Sequence, residues 1–470
     1  MTLIDTRTDA YGNPVSSRHG VDQYDLALDR YLRYHPDVID VATALVTEEP
    51  QFPMGHAMAA YLSLSSTDTV DLPGARESAE ALAALELNTR EAAHLAAIQK
   101  WLAGDWHGAA RQLDQLLIAW PADLLALLSG HLLDFFGGDA RNLRDRVARS
   151  IGSIDPESPH YGFVRGMFAF GLEESGHYDA AEAHGLAAVE AHPDDVWAIH
   201  AVVHVYEMQG RVAEGIRFLR SREADWGDGN LFTVHNWWHL ALYHLEAGKV
   251  DEALAIYDAR VHNRESAGVP LEMLDASALL WRLYLEGEDT GARFSELADS
   301  WVSRTADPWY VFNDMHAVMA LVGAGRMTEA RAVVDRLERY AAARGAASAT
   351  NLAMTVQVGL PASRALVAFA EGNDRRVIDE LLPIRATFQV FGGSHAQRDA
   401  LQRTLLTSAI RARELDLATA LVNERLATRE SSVYTLSRFA EIANARADLV
   451  NAQRYAKAAA TYRSQFAAAI

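Results

Sequence analysis

The chain of 470 residues contains no cysteine. Disulfide bonds, zinc sites with cysteine ligands and cysteine nucleophiles are therefore excluded. Positive charge is also scarce, because 43 Lys and Arg residues face 63 Asp and Glu residues, which gives a formal net charge of -20. Nucleic acid and anionic membranes both favour a positive protein surface. The charge therefore predicts that neither is a partner.

Long apolar runs are missing as well. The best one, LLALLSGHLLDFFGG from Leu124, is interrupted by His131 and Asp134 and is too short to cross a bilayer. The first residues, MTLIDTRTDAYGNP, are polar and lack the basic and apolar regions of a signal peptide. We therefore expect a cytoplasmic protein.

No stretch shows sustained alternation of apolar and polar residues, whereas almost every segment of helical length has apolar spacing near 3.6. Short turns with glycine or a small polar residue recur before amphipathic segments, 34 to 47 residues apart. A step near 34 with two helices per unit is the tetratricopeptide signature. The turns are predicted at Gly104-Asp105, Gly138-Asp139, Gly176-His177, Gly210-Arg211, Gly248-Lys249, Gly287-Glu288, Gly325-Arg326, Gly372-Asn373 and Glu414-Leu415.

This pattern predicts an all-α fold, a tetratricopeptide-like α-α superhelical solenoid that is tightly curled. Residues 22–466 are expected to form a single domain of about nine or ten helical hairpins, which a stack allows because each unit packs only on its neighbours. Residues 1–21 are predicted to be an N-terminal arm, and a joint is predicted near 345–360. The Ala-rich C-terminal helices (447–470) could cap the stack or pair with a second chain, which leaves a homodimer open.

Five polar residues stand out in two helical segments. His200, His204 and Glu207 are spaced i, i+4, i+7 and therefore share one face of a helix. His235 and His239 repeat the i, i+4 spacing on the next-but-one helix. Both segments are predicted to be first helices of their hairpins, which in such a stack line the concave side.

Two later first helices carry similar residues. Asp314 and His316 lie in VFNDMHAVMALVGAGR, and His395 and Arg398 lie in GGSHAQRDAL. If the superhelix curls tightly, these side chains converge on the histidines of the earlier helices inside an internal pocket.

The histidine-rich strings resemble the tetratricopeptide repeat protein 38 family. The matching segments are HAVVHVYEMQGR (200–211), HNWWHLALYHLEAGKVDEAL (235–254), LDASALLWRLYLEG (274–287), FNDMHAVMALVGAGR (312–326), VGLPASRALVAFAEGN (358–373) and GGSHAQRDAL (392–401). The family's motif positions fall on His200, His204, Glu207, His235, Asn236, His239, Asp314, His316, His395, Gln397 and Arg398. The resemblance implies an all-helical, tightly curled repeat protein, and it implies no particular reaction.

Three uses of these residues remain open. Two imidazoles at i, i+4 can bind a metal, and His200, His204 and His239 are candidate ligands of a divalent ion such as zinc. A metal-free acid/base site would use His200 or His239 as the base, oriented by Glu207 or Asp314. The third possibility is a structural network of buried, hydrogen-bonded imidazoles.

The clustering favours an enzyme over an extended groove. We expect a pocket that acts on a small molecule by hydrolysis or proton transfer, with Arg398 as a clamp for an anionic group. The predicted catalytic residues are His200, His204, Glu207, His235, His239, Asp314, His316, His395 and Arg398. The alternative is a non-enzymatic binding module that holds a peptide or protein partner in the concave groove.

Overall fold

The computed structural model describes residues 7–343 and 349–469. Apart from one isolated bridge between Thr8 and Pro14, every regular element in these ranges is helical. The predicted all-α fold is confirmed.

The α-helices are numbered in chain order. The first eleven are α1 Val21–Leu32, α2 Val38–Glu48, α3 Pro53–Ser65, α4 Leu72–Ala83, α5 Thr89–Leu102, α6 Trp106–Ala119, α7 Leu124–Phe136, α8 Ala140–Ile151, α9 Tyr161–Glu174, α10 Tyr178–Ala191 and α11 Val196–Met208. The others are α12 Val212–Ser221, α13 Glu223–Trp226, α14 Thr233–Glu246, α15 Val250–Ile256, α16 Pro270–Glu286, α17 Arg293–Val302, α18 Val311–Gly323, α19 Met327–Ala342, α20 Thr350–Met354, α21 Leu360–Ala370, α22 Asp374–Leu381, α23 His395–Arg411, α24 Leu415–Thr428, α25 Val433–Ala445 and α26 Leu449–Ala469. Short 3-10 segments lie at Thr69–Asp71 and Leu382–Phe391, and π segments at Tyr257–Val261 and Thr355–Gly359.

Each predicted turn separates the two helices of one hairpin. In all eight glycine-containing turns the glycine is left-handed, with φ between 69° at Gly138 and 81° at Gly104. This conformation ends a helix without the steric penalty that a Cβ would impose. In three of these turns the next residue caps the following helix, since Asp105, Asp139 and Asn373 accept from the backbone N–H groups three residues ahead. At the ninth turn Arg413 takes the left-handed conformation instead, with φ 64°.

A pair of glycine substitutions tests this account of the turns. Gly176→Ala should lower the free energy of unfolding by about 1–2 kcal/mol, because φ is 79° there although a Cβ would meet no atom within 4 Å. Gly152→Ala is the matched control, since this site is equally open but has φ -70°. It should be neutral or stabilise by about 0.4–1 kcal/mol. Urea unfolding curves that show equal effects for both variants would contradict the conformational explanation.

The chain is divided into two compact units. Unit 1 comprises residues 1–202, 228–232 and 344–353, and unit 2 comprises 203–227, 233–343 and 354–470. The boundary falls inside α11. The prediction of a single domain over 22–466 stays a prediction, as does the joint near 345–360, of which 345–348 lie outside the described residues.

The core of unit 1 contains a buried charged network. Arg90 Nε lies 2.6 Å from Asp123 Oδ2 and Arg90 Nη2 lies 3.0 Å from Asp9 Oδ2. His94 Nε2 is 3.0 Å from the same oxygen of Asp123. The other Asp123 oxygen caps α7 through the N–H of Ala126. One carboxylate therefore ties α5 to the start of α7.

Unit 2 has tryptophans in its core whose indole N–H groups are satisfied. Trp281 on α16 donates to Thr404 Oγ1 on α23 at 2.8 Å, and Trp301 on α17 donates to Ser277 Oγ at 2.9 Å. Both rings are at most 1% exposed. These bonds fix the packing of α16 against α17 and α23, which is the scaffold of the site described below.

One helical stretch, Thr350–Ala370, is long and apolar enough to cross a membrane when judged by length and composition. Within the protein 67% of its apolar window is buried. A core helix of a soluble protein has the same character.

Candidate functional site

The predicted histidines of α11 fall on either side of the unit boundary. His200 belongs to unit 1, where its ring packs against Phe170, Trp197 and Phe232 with centroid distances of 4.9, 5.2 and 5.0 Å. His204, one turn later, belongs to unit 2. The role of His200 as a ligand or base stays a prediction.

Unit 2 brings three of the predicted histidines together. His204 on α11 meets His235 and His239 on α14, and one ring nitrogen of each lies within 4.8 Å of the others. The His204 and His239 rings have centroids 4.5 Å apart, and those of His235 and His239 are 4.8 Å apart. The Nε2 atoms of His235 and His239 face each other at 3.2 Å.

Two carboxylates contact the His235 and His239 rings on the side away from the facing Nε2 atoms. Glu207 Oε2 is 3.0 Å from His239 Nδ1, and Asp275 Oδ2 on α16 is 2.6 Å from His235 Nδ1. Gln397 on α23 donates to the other Asp275 oxygen at 3.1 Å. The predicted pairing of Glu207 with His239 is present. Each carboxylate accepts from an Nδ1–H and so directs the Nε2 lone pair of that ring toward the other histidine.

The pKa of His239 is lowered well below its ordinary value, first by complete burial and then by the charges of His235 and Arg282. The ring is therefore neutral at physiological pH. A neutral imidazole is the form that binds a metal or accepts a proton.

Beside the histidines lies a cluster of arginines around one buried carboxylate. Asp399 Oδ1 is 2.6 Å from Arg425 and 3.6 Å from Arg429, and Asp399 Oδ2 is 2.7 Å from Arg403. Burial alone would raise the pKa of Asp399, but the surrounding guanidinium groups, Arg282 included, lower it well below its usual range. Asp399 is therefore ionised and compensates several positive charges at once.

Arg282 on α16 also belongs to this cluster, but it forms no salt bridge with a carboxylate among the described residues. Its side chain donates to the carbonyl oxygens of Ala278 and Ala396 and lies 5.7 Å from the Trp238 ring centroid. Among the described residues no carboxylate lies within 4.0 Å of it, although the residue is only 2% exposed. Burial, and then the nearby Arg403, lower its pKa to about 10, so the charge persists at neutral pH.

Two cavities in unit 2 share Arg282, Arg403 and Leu245 in their walls. The smaller has a volume of about 30 Å³ and is also lined by Glu207 and Arg429. The larger has a volume of about 300 Å³. Its other lining residues are apolar, small or charged: Gly248, Val250, Leu283, Glu286, Glu288, Val433, Tyr434, Ser437 and Arg463.

Asp314 and His316, both on α18, contact groups outside the histidine cluster. Asp314 on α18 is buried 3.7 Å from Arg336 of α19, whereas Glu207, the other predicted partner of the base, faces His239. His316 Nδ1 donates to the carbonyl of Phe312 in its own helix at 2.8 Å. Burial raises the pKa of Asp314 to about 7 and lowers that of His316 to about 4.

The start of α23 carries two further predicted residues, His395 and Arg398. Arg398 Nη1 donates to the carbonyl of Gly393, and its Nη2 lies 3.3 Å from His395 Nδ1. Gln397, a family-motif position without a predicted role, supports Asp275 instead.

Sequence reasoning missed Asp275 and Arg282, although both lie in LDASALLWRLYLEG. An arginine inside the run LLWRLYL was the available signal, because a charge flanked by apolar residues on both sides is rarely fully buried without a reason. The arginines around Asp399 carried no such signal, since isolated arginines on helices are usually solvated.

Comparison of the sequence with known protein families finds no match. The fold is similar to human IFIT1 in a dimer with PPP-AAAA, with 13% identity, a TM-score of 0.41 and coverage of 97% of this chain and 96% of that chain. An IFIT1 monomeric mutant with Gppp-AAAA gives 14% identity, a TM-score of 0.39 and coverage of 95% of both chains. A chain of the Naa15/Naa10 complex bound to HypK-THB gives 14% identity, a TM-score of 0.23 and coverage of 94% of this chain and 63% of that chain.

Membership of the tetratricopeptide repeat protein 38 family stays a prediction. The prediction of partners is corrected. It excluded nucleic acid and assigned a small-molecule substrate, whereas the similar structures hold PPP-AAAA, Gppp-AAAA or HypK-THB. The physical error was to read local charge from the net charge, which sums the whole chain and hides a concentrated group of arginines. At these TM-scores and identities the similarity assigns none of those ligands to this chain.

Proposed function

We propose that this protein is a non-enzymatic helical-repeat binding module, and that the arginine-lined cavities of unit 2 bind an anionic group of a peptide partner. The observation that carries the proposal is Arg282. A guanidinium buried without a carboxylate costs several kcal/mol. Such a charge is retained where a ligand supplies the missing anion.

The composition of the larger cavity favours a peptide. Leu283 and Val433 offer apolar contacts beside Arg282 and Arg403, so a carboxylate next to an apolar side chain fits, as at a peptide C-terminus. Glu286 in the same wall would repel further negative charges along a polyphosphate chain.

This proposal is supported better than the predicted hydrolase or acid/base enzyme. The predicted anion clamp of that enzyme, Arg398, donates to the carbonyl of Gly393. Of the two groups predicted to orient the base, Glu207 does face His239, whereas Asp314 is paired with Arg336. A cytoplasmic location remains the expectation for the binding module too.

The test uses pools of fluorescein-labelled random nonapeptides that end in Leu or Val, made either with a free C-terminal carboxylate or as amides. We expect the free-acid pool to bind the full-length protein in fluorescence polarisation, and the amide pool to bind at least about tenfold more weakly. Such a loss is typical of a charge-assisted hydrogen bond worth about 1.5–3 kcal/mol.

Arg282→Met should reduce binding of the free-acid pool by at least about tenfold and leave thermal stability unchanged or higher, because an apolar side chain replaces a buried charge that no carboxylate contacts directly. Arg385→Met is the matched control, since Arg385 pairs with Glu424 on the surface of the same unit. Equal binding of acid and amide pools would refute the proposal. Arg282-dependent binding of a 5′-triphosphorylated oligoadenylate, with no peptide binding, would replace the peptide by nucleic acid.

A further inference from the structure

We propose that His204, His235 and His239 form a binding site for a single divalent metal ion, with Zn²⁺ as the best match. The three side chains come from two helices, α11 and α14, and one ring nitrogen of each lies within 4.8 Å of the others. His204 and His239 are fully buried and His235 is nearly so.

The distance between the two facing nitrogens fits a shared metal. Zinc binds imidazole nitrogen at about 2.0–2.1 Å, and two ligands of a tetrahedral ion are then about 3.3–3.4 Å apart. The Nε2 atoms of His235 and His239 are 3.2 Å apart. The rings are therefore already placed at ligand separation.

The carboxylates behind the rings set the required tautomers. Asp275 and Glu207 each face an Nδ1 atom, at 2.6 and 3.0 Å. A histidine that ligates a metal through one nitrogen usually donates its other N–H to a carboxylate, and this support raises metal affinity. With both Nδ1 protons directed to carboxylates, two Nε2 lone pairs face each other, and a cation between them removes that repulsion.

A protonated His235 that donates to His239 is the competing arrangement. It would satisfy the two facing nitrogens by one hydrogen bond. It does not involve the third imidazole, His204, whose ring stands at 69° to that of His239 with centroids 4.5 Å apart. Three converging imidazoles are the ligand set of catalytic zinc sites, which keep one position open.

The three metal ligands do not line the anion-binding cavities, although Glu207 both lines the smaller cavity and faces His239. Variants at Arg282 and at the histidines therefore test the two proposals separately. Arg282→Met removes a cavity residue and should leave zinc binding intact. His239→Gln removes a metal ligand and should leave peptide binding intact.

The experiment strips the purified full-length protein of metal with a chelator and then titrates it with Zn²⁺, with elemental analysis of the dialysed product. We expect one zinc per chain and, after substitution by Co²⁺, the visible absorption of a tetrahedral site. His204→Gln, His235→Gln and His239→Gln should each weaken zinc binding by at least about 100-fold. Asp275→Asn should weaken it by about 10- to 100-fold.

His244→Gln is the matched control, because His244 is a buried histidine on α14 outside the cluster. It should bind zinc as the unmodified protein does. Should a ligand variant fail to fold, the zinc stoichiometry and Co²⁺ spectrum of the unmodified protein, with the milder Asp275→Asn variant, still decide. Absence of stoichiometric zinc and of the Co²⁺ spectrum, or zinc binding that survives the loss of His235 and His239 together, would overturn the site.

Discussion

Asp399→Asn is expected to lower the free energy of unfolding by about 3–5 kcal/mol, the usual cost of removing one partner from a buried ionic network. The side chain keeps its size but loses the charge that holds Arg403, Arg425 and Arg429 within 2.6 to 3.6 Å of its oxygens. Without it these guanidinium groups and Arg282 repel one another in surroundings from which water is largely excluded. Urea unfolding followed by circular dichroism measures the loss.

A surface ion pair in the same unit provides the control. Asp416 pairs with Arg446, but its side chain is fully exposed. Asp416→Asn should therefore leave the unfolding midpoint unchanged, since exposed pairs are screened by water and salt. If Asp399→Asn also left the unfolding midpoint unchanged, other groups would have to compensate the arginines. The conclusion that Asp399 holds this cluster together would then be wrong.

Asp314→Asn is expected to change the pH dependence of stability. Burial raises the pKa of Asp314 to about 7, and Arg336 at 3.7 Å offsets this only in part. The folded state then holds the proton more tightly than the unfolded state, whose carboxyl titrates near 3.9. Folding stability from this group is therefore lost as the pH rises from about 4 to about 7.

The asparagine variant has no proton to lose at this site. Relative to the unmodified protein, its free energy of unfolding should increase by about 2–3 kcal/mol between pH 5 and pH 8. Asp299→Asn, at an exposed side chain paired with Arg326, should show no such trend. A difference between the unmodified protein and Asp314→Asn that is constant across this range would show that Asp314 is already ionised at pH 5.

Sequence periodicity alone predicts part of the histidine cluster. The i, i+4 spacing placed His235 and His239 on one helical face, and i, i+3 spacing placed His204 and Glu207 on another. These four residues do meet in unit 2. The roles of Asp314, His316, His395 and Arg398 stay predictions, because a position on a first helix does not say which neighbour the side chain contacts.

The arginine cluster was missed because its meaning depends on burial and on distant partners. Asp399 and Arg425 are 26 residues apart, and Arg282 is more than a hundred residues from either. In the sequence Asp399 and Arg425 each resemble an ordinary solvated charge on a helix, and only the apolar flanks of Arg282 indicate burial. Net charge added to the error, since -20 for the whole chain suggested that no concentrated positive site existed.

The sequence by itself determined the local structure: helices from the 3.6-residue spacing, their ends from left-handed glycine turns, and the helical face that each histidine occupies. All of these follow from interactions within a few residues along the chain. Tertiary structure alone decided which carboxylate each imidazole faces. It also decided which arginine is buried without a directly paired carboxylate. Those outcomes depend on how helices far apart in sequence pack and exclude water, and desolvation is a property of the packed unit rather than of any single segment.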